Sequence, residues 1–91
     1  MLRRSRHEPV PNPFASLSVQ SHLSRVAWEI RRLERGDELW ARAHHLRAAL
    51  RAYDDLLCEA STLAGIPIPD GPAPVRRLIL ESQLQSHGWS W

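Results

Sequence analysis

A chain of 91 residues with a net charge of +2 holds one domain and buries only about 60 to 65% of the surface its unfolded form exposes, so association with another surface is an expected source of stability. Its composition, 43% apolar and 24% charged, fits a globular protein, and no apolar run approaches the roughly 20 residues that cross a bilayer. One cysteine, Cys58, excludes an intramolecular disulfide.

The twelve basic side chains are all arginine, and they are unevenly placed: residues 1–35 carry seven Arg against three Glu, residues 36–91 five Arg against seven Asp and Glu. The front of the chain is therefore basic and the rest slightly acidic. Arg3, Arg4 and Arg6 precede a polar, Pro-rich stretch where a secretory signal needs an apolar run. The chain is accordingly expected in the cytoplasm.

Residues 1–12 read as a disordered basic arm. Arg3, Arg4, Arg6, His7 and Glu8 offer nothing to bury, and Pro9 and Pro11 remove backbone donors. A single helical domain follows over 13–91, with helices expected at about 16–35, 37–64 and 74–87. Asn12 with Pro13 makes a cap and first-turn pair for the first helix, and Ser16 and Ser18 are alternative caps. Val19, Leu23, Val26, Ile30 and Leu33 then recur at steps of four and three, which places them on one helix edge.

That edge falls out of phase at Arg35, Gly36 and Asp37. Gly36 suits a left-handed helix end and Asp37 the cap of the next helix. The second helix holds a heptad seam for nearly four repeats. Ala43, Leu50, Leu57 and Ala64 form its a row, and Leu39, Leu46, Tyr53 and Ala60 its d row. Two matching seams joined by a short turn predict an antiparallel hairpin. Ala49, Leu56 and Leu63 add a g row, an edge for a second partner to cover. Glu38 with Arg42, and Arg51 with Asp54 and Asp55, are spaced as helix-surface pairs.

Gly65 should end this helix. The Pro-rich stretch to Pro74 reads as an ordered crossing, with Ile66 and Ile68 both worth burying. A third helix is expected to begin near Pro74 and pack on the hairpin. Its apolar content is Val75, Leu78, Ile79, Leu80 and Leu84, and Arg77 and Glu81 are spaced as a surface pair. If Gly88 is its left-handed terminator, Leu84 and Trp89 stand where the two side chains touch, and residues 89–91 fold back as a cap. The fold class is all-α: a helical hairpin with a third, C-terminal helix.

No motif names a reaction. His44 and His45 are adjacent, about 100° apart on a helix, whereas two ligands on one helix usually stand four apart. Asp54, Asp55 and Cys58 share a face but lack a fourth ligand, and no base stands near Cys58 on its own helix. Neither a metal, a cofactor nor a small-molecule substrate is inferred, and the chain reads as non-enzymatic. Arg25, Arg31, Arg32 and Arg35 are candidates for phosphate contacts, with Glu29 and Glu34 interleaved among them.

The tryptophans are the more informative feature. Trp28 occupies an f position, away from the hairpin interface and beside Leu17, Ser21 and Ser24, and Trp40 an e position near the turn. Either the third helix or the C-terminal tail packs over Trp28, or it stays open as an anchor for a partner. The expected function is a protein–protein interaction module, self-associating as a homodimer or docking another helical protein. Its contact set is Trp28, Trp40, Leu56 and Leu63, and an Arg-dependent nucleic-acid binder is the alternative.

Overall fold

The computed structural model describes residues 13–35 and 39–91, with 39–42 as backbone only. The expected basic arm, the Asn12 cap, the Gly36 and Asp37 turn chemistry and the Glu38–Arg42 pair lie outside the described residues. Three helices follow in order: α1 (Pro13–Glu34), α2 (Leu39–Ala64) and α3 (Ala73–Ser86). Both α1 and α3 pack on α2, while the backbones of α1 and α3 stay more than 8 Å apart. They meet only through side chains gathered over α2.

Proline at the first position of α1 presets φ and gives up a donor the first turn does not use. The seam of this helix faces α2 as its spacing requires. Val19 and Leu23 are buried, and Val26, Ala27 and Ile30 are partly so. Val26 and Leu33 line a cleft with Ala52 and His45 of α2, and Ala27 and Ile30 line another with Leu50 and Tyr53. Val19 and Leu23, early in α1, share the core cluster with Leu57 and Ala60, late in α2, whereas Leu33 at the end of α1 lines a cleft with His45; the hairpin is antiparallel.

Burial along α2 is uneven. Tyr53, Leu57 and Ala60 are buried, Leu46 and Leu50 only partly, and Ala43 is exposed. A two-helix hairpin covers one side of each helix; the seam becomes a core where a third element closes over it. Here that element is α3, whose Leu80 and Leu84 join Leu23 and Leu57 in one cluster.

Two glycines end helices in the left-handed conformation. Gly65 has φ 74°; its N–H donates to Thr62 O at 3.2 Å, and Ile66 N–H donates to Ser61 O at 2.8 Å. Gly88 has φ 90°; its N–H donates to Gln85 O at 3.1 Å, and Trp89 N–H donates to Leu84 O at 3.0 Å. Both are Schellman ends, which satisfy carbonyls that the helix leaves open. In each, the residue after the glycine turns inward. Ile66 is buried, and Trp89 packs against the cluster that contains Leu84.

Ile68 departs from expectation and is 43% exposed. The prolines at 67 and 69 hold φ near roughly −65° and favour a polyproline course of three residues per turn. On such a course, residues two apart point in different directions, so fixing Ile66 in the core turns Ile68 away. The crossing ends at Pro72, in an extended conformation, whose carbonyl accepts the first helical bond from Arg76 at 3.0 Å. Pro74 then falls in the first turn of α3.

Ala73 lines a cleft with Arg47, Leu50 and Arg51, whereas Leu84 lies with Ala60 and Ile66. The crossing therefore returns the chain to the middle of α2, and α3 runs back toward the C-terminal end of α2. Leu80 and Leu84 occupy the inward face of α3. Val75, Leu78 and Ile79, counted among its apolar content, are exposed on the outward face.

Candidate interaction surfaces

Polar side chains fasten α3 and the tail to the hairpin. Arg77 donates two bonds to Asp54, Nε to Oδ1 at 2.7 Å and an Nη to Oδ2 at 2.9 Å. This fork-to-fork geometry raises the Arg77 pKa further, with the bond to Asp54 as the main cause. The Tyr53 hydroxyl donates to Glu81 and accepts from the Trp91 indole N–H at 3.1 Å. Burial first, and then the bond to Glu81, push the Tyr53 pKa well above its ordinary value. Ser90 N–H donates to Gln20 Oε1 on α1 at 3.0 Å. The tail thus ties the α3 side of the molecule to α1.

Tertiary partners join the surface pairs expected within single helices. Asp54 takes Arg77 of α3 as its ion pair, and Glu81 accepts from Tyr53 while its charge still acts on Arg77, four residues before it. Sequence spacing identifies pairs that one helix can form; it contains nothing about a helix arriving from elsewhere.

Of the sequence-predicted partner residues, Trp28 is 56% exposed. The tail that was a candidate to cover it lies instead against Tyr53 and Gln20. The Arg32 guanidinium stands 5.6 Å from the Trp28 ring centroid, a cation–π contact. Leu56 and Leu63 are partly buried and pack against the core cluster, and Ala49 beside them is buried. The Trp40 side chain lies outside the described residues.

Two apolar rows stand open. On α1, Phe14 and Leu17 are exposed and share the face of Trp28, spaced three and eleven residues apart with Ser21 and Ser24 between. On α3, Val75, Leu78 and Ile79 form the second row, with Leu78 67% exposed. Leu17 and Trp28 of the α1 row were legible from their shared face outside the seam, whereas Phe14, seven residues before Ser21, was missed. The α3 row was not legible, because its residues are as apolar as those that face α2.

Arg25, Arg31, Arg32 and Arg35 are all exposed. They stand three before and three, four and seven after Trp28, which are the helix-neighbour spacings. Glu29 stands four after Arg25 and three before Arg32, and Glu34 three after Arg31, so the glutamates interleave with the arginines at the same helix-neighbour spacings. Arg32 lines the cleft between α1 and α2 beside Glu29, and Arg31 lines another with Arg77 and Glu81. The outer face of α1 is apolar toward its N-terminus and net basic toward its C-terminus, four Arg against two Glu, with Trp28 at the junction.

Among the described residues no three His, Cys, Asp or Glu side chains gather as a metal site. His44 and His45 are exposed with tilted rings 5.9 Å apart, and Cys58 is partly buried against the core. No described helix is long and apolar enough to cross a membrane. No family model matches the chain, and no curated protein or solved structure matches it.

Proposed function

We infer that this chain is a non-enzymatic protein–protein interaction module that self-associates through an apolar helix face. The observation that carries this reading is the outward row Val75, Leu78 and Ile79 on α3, left exposed although α3 is held firmly on α2. Ser82, Gln85 and Ser86 continue that face without a charge. Two copies meeting there bury apolar surface with no like charges opposed, which is what a two-fold interface requires. The arginines on the outer face of α1 make that face a poor match for itself.

The test is molar mass in solution by sedimentation equilibrium over a wide concentration range. Dimerisation that Leu78→Ser abolishes, with helicity retained, supports the reading. A monomer at every concentration overturns it.

A second reading, Arg-dependent nucleic-acid binding, is favoured by the excess of Arg25, Arg31, Arg32 and Arg35 over Glu29 and Glu34 in the C-terminal half of α1 and the turn just after it. A labelled duplex bound at low salt and released steeply as salt rises supports it, and no binding at low salt removes it.

A further inference from the structure

We propose that the outer face of α1 is a second docking surface, whose partner is a helix carrying apolar residues at one end and Asp or Glu at the other. The proposal rests on the interaction-module reading and names a different face and a different partner. Its ground is the lengthwise division of α1. Phe14 and Leu17 are exposed at one end; Arg25, Arg31 and Arg32, with Arg35 in the turn just past the helix, outnumber Glu29 and Glu34 around the exposed Trp28 at the other. Leu17 and Trp28 are about 17 Å apart along the axis, three turns of helix, a reach that a partner helix of ordinary length spans.

Charge complementarity selects the occupant. Four arginines against two glutamates in this half call for an anionic partner, and a second copy laid on the same face sets arginine against arginine when the helices run parallel, or against Phe14 and Leu17 when they run antiparallel, matching neither half. Phosphates would satisfy the basic end, but a nucleic-acid backbone gives Phe14 and Leu17 nothing apolar to meet. A membrane surface separates headgroups from hydrocarbon by depth, and so matches a helix divided across its width; α1 is divided along its length. A helix with an apolar end and an acidic end matches both halves at once. Trp28, with Arg32 over its ring, has the composition of an interface anchor. Ser21 and Ser24 leave room beside it for a partner's side chains.

The full chain is titrated into a fluorescein-labelled helical peptide with Leu at the heptad positions of one half and Glu at those of the other, read by anisotropy. Parallel titrations use the same peptide with Lys for Glu, an oligothymidylate, and phosphatidylserine vesicles. The Leu/Glu peptide should bind most tightly, and Trp28→Ala or the pair Arg31→Glu and Arg35→Glu should each weaken it roughly tenfold or more. Circular dichroism checks that these exposed substitutions leave the fold intact. Leu78→Ser should leave peptide binding unchanged, which separates this surface from the self-association face. Equal binding of the Lys peptide, tighter binding of the oligothymidylate or vesicles, or no binding of any peptide overturns the proposal; a dimer that persists in that event leaves the self-association reading standing.

Discussion

Tyr53 on α2 and Glu81 on α3, 28 residues apart, are joined by a hydrogen bond from phenol to carboxylate, and the same phenol oxygen accepts the indole N–H of Trp91. One hydroxyl therefore connects α2, α3 and the tail. Replacing it with hydrogen in Tyr53→Phe leaves a carboxylate oxygen and an indole donor without that partner. The expected cost is about 1 to 3 kcal/mol, measured as a lower urea midpoint, with a changed tryptophan emission as the tail loosens.

The same geometry fixes a pH dependence. The folded pKa of Tyr53 lies above its unfolded value near 10, so the folded state retains the proton that the unfolded state releases. The associated stability is fully present below pH 10 and is lost progressively as pH rises above it. Because the chain has one tyrosine, the rise in absorbance at 295 nm with pH, over the constant background of the four tryptophans, reports its ionisation. Native protein should show no tyrosinate at pH 10.5, while protein in concentrated urea shows a large fraction; similar titrations in the two states would contradict the assignment.

The Arg77–Asp54 pair is bidentate and only about a fifth exposed on either side. A double-mutant cycle with Arg77→Ala and Asp54→Ala should give a coupling energy of about 1 kcal/mol, at the upper end for ion pairs reached by solvent. Coupling indistinguishable from zero at low salt would show that this pair contributes nothing to holding α3 on α2.

Gly88 has a left-handed backbone, and a Cβ placed on it meets nothing within 4 Å. Gly88→Ala therefore tests conformational strain separately from crowding. A loss of about 1 kcal/mol is expected in thermal melts, with faster hydrogen exchange at Trp89 as the closing bond to Leu84 weakens.

Leu23 and Leu17 lie about a third of a turn apart on α1, the first fully buried and the second largely exposed. Leu23→Ala should cost about 2 to 5 kcal/mol in denaturant unfolding, and Leu17→Ala no more than about 0.5 kcal/mol. Comparable losses would mean that the outer face of α1 is covered in solution.

Much of this arrangement was legible in the chain. The four-and-three spacing from Val19 to Ile30 and from Leu46 to Ala60 specified two helices and the edge each turns inward. Gly65 and Gly88 marked two helix ends, and Leu84 with Trp89 marked the second as a Schellman end, because only glycine takes the left-handed conformation cheaply. These are local signals, set by a few consecutive residues, and one sequence window contains all of each.

Tertiary structure decided which apolar residues of the third helix and the crossing are core. Leu80 and Leu84 face α2 while Val75, Leu78 and Ile79 face outward, and the polyproline turn separates Ile66 from Ile68. It also chose the partners of Asp54, Glu81 and Trp91, and left Trp28 open by sending the tail to Tyr53. Each of these depends on where the crossing returns the chain along α2. Periodicity establishes the face of a helix; the neighbour that covers that face is fixed only by contacts between segments far apart in sequence.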